Sequence, residues 1–273
     1  SVPQTALNGR KIYFPRGQSL GGSSILNGMI YIRGVPQDYD AWRESGLPGW
    51  GFSDLLPYFR RSQGAVNREG PWHGVDGPVK TEASVNFGEL EQAFIEAAVA
   101  CGHRRLDDFN GPDRTGVGRM DSTVYRGIRQ SSAISYLAKP PPNLQILTHR
   151  HVARVVLEGS RATGIETFSG ERIYAGKEVI LCQGAFGTPQ TLMLSGIGPS
   201  GHLKQHGITA VVDLPGVGQN LADHVDVSMQ YRSDRMDSRL ARHQRLHRLL
   251  QQEQFAEQEA ATSTVWSGSG VVR

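Results

Sequence analysis

Apolar residues at helical spacing predict several short helices in the first half of the chain. The clearest is GELEQAFIEAAVACG, in which Leu90, Phe94 and Ala98 recur on one face and Gly102 supplies a stop. A second helix is predicted in DLLPYFRR, with Ser53 as its N-cap. A third, SAISYL, should end at the three prolines that follow it. The pattern indicates helices separated by glycine-rich and proline-rich turns.

The pattern changes to β-strands in the second half. LQILTHRHVARVVLEG and ATGIETF are rich in β-branched residues, and the turn EGSR between them predicts a hairpin. KEVILCQG predicts a short buried strand that ends on glycine, followed by a helix with Thr188 as N-cap, Pro189 at its first position and Gly196 at its end. SGHLKQHGI predicts a short helix and AVVDLP a strand. Together these elements predict an α/β fold.

Composition fits a folded chain of one large or two moderate domains. The 273 residues include 33 glycines without a period, which indicates many tight turns and excludes collagen. The net charge is only +3, with 29 basic against 26 acidic residues, and this near balance argues against a nucleic-acid-binding protein. Basic residues concentrate over 232–248, where a solvated helix face is favoured over a site for nucleic acid or anionic lipid.

Cysteine content and hydropathy bear on the compartment. The two cysteines, Cys101 and Cys182, form no spaced motif, and we expect a reducing compartment, the cytoplasm. The chain has no run of about 18 apolar residues that would predict a transmembrane segment. Peripheral membrane association stays open.

Three glycine-containing bends are the candidate ligand-binding segments. LGGSSILNG, from Leu20, places bare backbone and two hydroxyls ahead of an apolar run, which suits either a pyrophosphate cradle or a tight turn entering a packed helix. In EVILCQGAFGTPQTLMLSGIGP, Gly184 and Ala185 follow a predicted strand, as a ligand site or an ordinary strand–helix joint. LPGVGQNLADH adds two glycines, Asn220 and Asp223.

Taken together, these segments resemble the glucose–methanol–choline (GMC) family of flavoprotein oxidoreductases, in its choline-dehydrogenase-like branch. YFPRGQSLGGSSILNGMIYIRGVPQDYDAW is similar to the family's first signature, and GAFGTPQTLMLSGIGP to its second. LPGVGQNLADH follows at the usual distance, and the resemblance covers about residues 1–225. It implies an FAD-binding Rossmann-like domain interleaved with a substrate domain on an antiparallel sheet. It also implies oxidation of an alcohol by hydride transfer to the flavin.

The resemblance assigns cofactor-binding residues within these segments. Leu26 stands where some relatives attach FAD through histidine, which implies non-covalent FAD, and His224 would help to close the pocket. Val152 would contact the adenine edge through its backbone. The three bends are predicted to converge on one dinucleotide. The residues expected at the cofactor are Arg16, Gly17, Gly21, Gly22, Ser23, Asn27, Gly28, Ile30, Val152, Gly184, Ala185 and Asp223.

The chain also departs from the family pattern. It lacks the N-terminal GxGxxG and the C-terminal catalytic histidine, so the resemblance predicts an internal fragment with no catalytic residue of its own. Residues 1–225 would form an incomplete FAD domain and 226–273 the start of the substrate domain. Such a fragment is expected to bind FAD weakly or not at all and to oxidise no alcohol. The expected partners are a small alcohol and an undefined electron acceptor, without nucleic acid.

Other functions remain as alternatives. One alternative is a non-catalytic remnant that serves as a binding or oligomerisation module, and another is a lyase, which the same scaffold also supports. The histidine pairs His202/His206 and His243/His247 have the i,i+4 spacing of zinc ligands. No cysteine or carboxylate completes either set, so no metal site is predicted. His224 is favoured as a packing residue over a catalytic base.

Overall fold

The computed structural model describes residues 1–83, 88–224, 227 and 229. The described residues form two compact units, one of Ser1–Pro141 and one that begins at Pro142. The predicted domain start at 226, the basic stretch 232–248 and the pair His243/His247 lie outside the described residues. The boundary between the domains therefore stays a prediction.

The described residues of the first unit form three α-helices. They are α1 (Pro36–Glu44), α2 (Phe52–Ser62) and α3 (Glu89–Ala100), and α3 confirms the apolar pattern, with Gly102 at a φ of +91° after its end. Ser53 is not the N-cap of α2. Asp54 instead accepts a hydrogen bond from the N–H of Gly51 at 3.1 Å, so the helix begins before Ser53. The helix predicted before the prolines is a single π-helical turn, Ala133–Leu137.

The strands of the first unit are short. They are β1 (Ile30–Tyr31), β2 (Gln63–Ala65), β3 (Val79–Ala83), β4 (Arg105–Leu106), β5 (Val117–Gly118), β6 (Asp121–Ser122), β7 (Val124–Tyr125) and β8 (Ile128–Arg129). Four of them form a mixed sheet in the order β1-β6-β3-β2, in which only β2 and β3 are parallel. This sheet carries β1, which directly follows the first glycine bend.

A buried polar network fills the centre of this unit. Arg33 donates to Gln63 Oε1 at 2.7 Å, and His73 Nε2 lies 2.8 Å from Asp108 Oδ2. Gln63 is fully buried and His73 is 4% exposed. Burial raises the pKa of the Asp108 carboxyl, but the hydrogen bonds from His73 and from the N–H of Asn110 outweigh it and hold that pKa below its usual value. Hydrogen-bonded polar side chains therefore occupy the centre of this unit beside its buried apolar residues, and among the described residues Arg33 Nε is buried without a partner.

The second unit is built on the predicted hairpin. The strands β9 (Val152–Glu158), β10 (Arg161–Thr167) and β11 (Arg172–Tyr174) form an antiparallel sheet in which β9 is an edge. The helix α4 (Gly184–Leu194) contacts β9, and Ser195 at its end accepts a hydrogen bond from the N–H of Val155 at 2.8 Å. The remaining elements are β12 (Ile197–Gly198), α5 (Ser200–Gln205) and β13 (Val212–Asp213), with β12 and β13 parallel.

Two predictions for the second unit are wrong. KEVILCQG forms no strand, because no described strand pairs with residues 178–182, and Ile180 is 77% exposed. The helix after it does not start at Thr188 but at Gly184, which takes a φ of +78°. Thr188 instead accepts a hydrogen bond from the N–H of Gln183 at 3.2 Å, and Pro189 lies inside the helix. The predicted stop at Gly196, with a φ of +80°, is confirmed.

Candidate cofactor-binding site

The first bend is a tight turn followed by a short 3₁₀-helix, Gly22–Ile25. Gly21 has a φ of +96° and Gly22 a φ of +53°, which glycine adopts without strain. Gly17 lies against this turn so closely that an added Cβ would fall 2.1 Å from the carbonyl oxygen of Gly22. The N–H of Gly17 also donates to Ser23 Oγ at 3.2 Å. Backbone contact thus fixes the positions of Gly17 and Gly22.

A second segment of the same unit holds this bend. Ser132 Oγ donates to the carbonyl of Gly21 at 3.2 Å and lies 2.8 Å from Ser24 Oγ. Arg129 donates to Asn27, at 2.7 Å to its carbonyl oxygen and 2.8 Å to its side-chain oxygen. The Ser24 hydroxyl, which the sequence suggested as a ligand donor, is therefore engaged within the protein.

The outer side of the first bend is open. Cβ atoms added at Gly22 or Gly28 would meet no heavy atom within 4 Å. Ser23 and Asn27 are exposed, and so are the apolar side chains of Leu26 (43%) and Ile30 (55%). Exposed apolar side chains beside bare backbone and polar groups are typical of a surface that a ligand or another part of a protein covers.

The second and third bends meet in the second unit. The N-terminal turn of α4 and the loop 216–222 line one cavity of about 630 Å³. Asn220 and Gly218 in this loop both have left-handed backbone, with φ of 56° and 77°. The walls combine the predicted Ala185 with residues that the sequence did not single out, such as Phe186 and Met193. A cavity of this size, mostly apolar with a few polar groups, is typical of a small-molecule site.

The residues present fit FAD in both units. The added Cβ of Gly184 would meet no heavy atom within 4 Å, so the start of α4 leaves its backbone open to an anionic group. Val152 begins the edge strand β9 and pairs with Thr167 on its one neighbour. Open glycine backbone at a helix start and an apolar cavity beside it are what a pyrophosphate joined to flat rings requires.

The residues assigned from the sequence lie in both units. Arg16 is exposed, with its guanidinium 5.9 Å from the ring centre of Phe14. Asp223 is exposed and accepts a hydrogen bond from the N–H of His224 at 2.9 Å. The structure brings Ala185 and the 216–222 loop to one cavity, while the residues from Arg16 to Ile30 belong to the other unit. Their joint contact with one cofactor stays a prediction.

The histidines give no metal site in the part of the chain that is described. The rings of His202 and His206 lie 4.7 Å apart, but no group of three or more histidine, cysteine or acidic side chains gathers among the described residues. His151 contacts Phe168 instead, with ring centres 4.8 Å apart.

The GMC oxidoreductase family model matches residues 3–226. The chain belongs to the GMC oxidoreductase family. Its α/β fold and its likeness to FAD-binding enzymes confirm the predicted fold class, and FAD is the cofactor of this family.

The relatives agree with the choline-dehydrogenase-like branch. Oxygen-dependent choline dehydrogenase of Sinorhizobium fredii is 45% identical over 236 residues, which is 84% of this GMC chain and 43% of that protein. The protein of the same name from Brucella ovis is 43% identical, over 84% of this chain and 43% of its own length. The GMC chain thus spans less than half the length of these relatives.

Solved structures show the same fold. Pyridoxine 4-oxidase from Mesorbium loti matches with a TM-score of 0.73 and 33% identity, over 79% of this GMC chain and 44% of that enzyme. An FAD-dependent oxidoreductase from Chaetomium thermophilum matches with a TM-score of 0.73 and 32% identity, over 79% of this chain and 41% of its own. Among the described residues, no helix is long and apolar enough to cross a bilayer.

Proposed function

We propose that this chain supplies FAD-binding surfaces of an enzyme that oxidises a small alcohol. The observation that carries the proposal is the cavity between α4 and the loop 216–222, which combines an open helix start with apolar walls. Family membership over residues 3–226 supports FAD as its occupant. When bound, FAD would supply the acceptor for the hydride that leaves the alcohol carbon.

The residues of the chain would hold and orient the cofactor. Gly184 and Ala185 would present backbone N–H groups at the positive end of α4 to the pyrophosphate. Gly22 and Gly28 would allow close approach of the cofactor to the first bend, because neither has a side chain in the way. Leu26 and Ile30 would exclude water from the cofactor, and Leu26 offers no nucleophile for a covalent link.

The remaining assigned residues would complete the binding surface. The backbone of Val152, at the start of the edge strand β9, would contact the adenine ring. Arg16, Ser23 and Asp223 are exposed and would add polar contacts along the cofactor. In this proposal the chain binds and orients the cofactor.

The proposed substrate is a primary alcohol such as choline, with oxygen as the electron acceptor. Its support is the name of the relatives in S. fredii and B. ovis, oxygen-dependent choline dehydrogenase. We also propose that the protein works in the cytoplasm. Cys101 and Cys182 are both free and exposed, which suits a reducing compartment.

Flavin content and turnover test the proposal. The protein produced from its native reading frame is expected to carry FAD that acid or heat releases, and to reduce oxygen or a dye when choline or another primary alcohol is added. FAD that stays covalently attached would contradict the role given to Leu26. Absence of FAD altogether would favour the non-catalytic binding module. The same spectrum recorded on the 273-residue chain alone tests the expected weak binding of FAD.

A further inference from the structure

The side-chain amide of Asn27 has a fixed orientation in the first bend. Its Oδ1 accepts two hydrogen bonds, from Arg129 Nη1 at 2.8 Å and from the N–H of Met29 at 3.3 Å. Both partners are pure donors, so the atom between them is the amide oxygen and not the nitrogen. The NH₂ group must therefore point the other way. No acceptor among the described residues lies within hydrogen-bond distance of it.

Arg129 reaches Asn27 with one nitrogen. Nη1 donates to the carbonyl oxygen of Asn27 at 2.7 Å and to Asn27 Oδ1 at 2.8 Å, and its hydrogen bond to the carbonyl of Ser24 is longer, at 3.3 Å. None of the described carboxylates lies within salt-bridge distance of this guanidinium. Its contacts among the described residues are thus to uncharged oxygens of the first bend, and 102 residues of chain separate it from Asn27.

The backbone next to Asn27 is held in an uncommon conformation. Met29 has a φ of +60°, which costs free energy for a residue with a side chain. Its carbonyl accepts the N–H of Thr123 at 2.7 Å, while its own N–H donates to Asn27. Such a conformation persists only when its surroundings fix it, and here Asn27 and Thr123 do so from the two sides.

We infer that Arg129 is a positioning residue that orients the Asn27 amide so that its NH₂ group donates to the bound flavin cofactor. The inference rests on the proposed function, because the cofactor supplies the acceptor. It follows from an exposed donor, fixed by two other donors, beside the open backbone of Gly28 and the exposed Ile30. A donor held in place before binding loses little entropy when it forms its hydrogen bond.

Four variants of the protein from its native reading frame test this inference by FAD titration and flavin absorption spectra. Arg129→Gln and Asn27→Ala should each weaken FAD binding about tenfold, the size of one hydrogen bond of good geometry, and shift the flavin bands. The double variant should bind FAD no more weakly than Asn27→Ala alone, because Arg129 acts through Asn27. Arg126→Gln is the matched control, as Arg126 lies in the turn just before β8 and its guanidinium packs on Tyr125.

The outcomes separate the inference from the proposed function. If Arg129→Gln weakens FAD binding equally with and without Asn27, Arg129 acts independently and the inference is overturned. If Arg129→Gln does not fold, Asn27→Asp decides, since it keeps the acceptor for Arg129 and loses the NH₂ donor. It should keep its melting temperature and bind FAD about tenfold more weakly. Unchanged FAD binding in Asn27→Asp overturns the inference alone, whereas a native protein without FAD overturns the proposed function and the inference with it.

Discussion

The first and second glycine bends have similar sequence patterns and very different surroundings. Around the first bend, Arg129 and Ser132 bind the turn from a distant part of the chain, and β1 pairs with β6 directly after it. At the second bend, the apolar residues 179–182 precede Gly184 but pair with no described strand. Glycine allows the chain to bend at both places, but a strand forms only where a partner backbone takes up its hydrogen bonds.

The two units also differ in how they are stabilised. Buried polar side chains of the first unit include Arg33, His73 and Asp121, and each has a hydrogen-bond partner. These partners are the carbonyl of Trp72, Asp108 and Arg68, respectively. The second unit relies on a hairpin covered by α4, with its ion pairs on the surface. Removal of a single partner should therefore cost far more in the first unit than in the second. The three predictions that follow test the comparison of the two bends and of the two units, from the largest expected effect to the smallest.

Substitution of Gly17 by alanine should have the largest effect. Its Cβ would fall 2.1 Å from the carbonyl oxygen of Gly22, and a backbone clash of this kind cannot be relieved by a change of rotamer. We expect a loss of about 4 kcal/mol or more in the free energy of unfolding, measured by chemical denaturation. Gly28→Ala is the control, because its Cβ would meet no heavy atom within 4 Å, and it should change stability by less than ~0.5 kcal/mol. Equal stability of the two variants would mean that the first bend is not packed as described.

Substitution of Asp121 by alanine should have the next largest effect. Asp121 is 3% exposed and accepts hydrogen bonds from Arg68, at 3.0 Å from Nη2 and 3.2 Å from Nε. Its removal leaves the largely buried Arg68 without its carboxylate, at a cost of about 3 kcal/mol.

Glu166→Ala is the matched control for this pair, in the second unit. Glu166 binds Arg154 and Arg172, whose side chains are 48% and 50% exposed, so solvent screens these ion pairs and the loss should be much smaller. A larger loss for Glu166→Ala than for Asp121→Ala would reverse the contrast between the two units.

Substitution of Ile180 by serine should have the smallest effect. The side chain is 77% exposed, so its replacement removes little apolar contact and should change the free energy of unfolding by less than ~0.5 kcal/mol. Val155→Ser, at a site that is 6% exposed, is the positive control and should cost at least ~2 kcal/mol. A comparable loss for Ile180→Ser would show that residues 178–182 are buried against something outside the described residues.

Local sequence predicted the elements that depend on local interactions. The helix α3 and the hairpin of β9 and β10 were correct, because apolar periodicity and a short turn are enough to specify them. The predicted N-caps at Ser53 and Thr188 were wrong. Asp54 and the left-handed Gly184 start those helices earlier, and competition between neighbouring caps is not visible in a residue pattern.

The candidate site was predicted in part. The glycines of all three bends were identified because uncovered backbone and left-handed φ both favour glycine, which is visible in the sequence. Arg129, Ser132 and the cavity wall residue Met193 were missed. Arginine and serine have many uses in proteins, and nothing local to residues 129–132 indicates that their partners lie near residues 21–27.

The sequence by itself determined the family, the cofactor class and the positions of the bends, since motifs and glycine conformations are properties of short segments. Tertiary structure alone decided which side chains hold those bends and which predicted strand has a partner. It also brought the second and third motifs to one cavity. The physical reason is that hydrogen bonds and packing between distant segments depend on where the chain places them, and residue type records that placement only weakly.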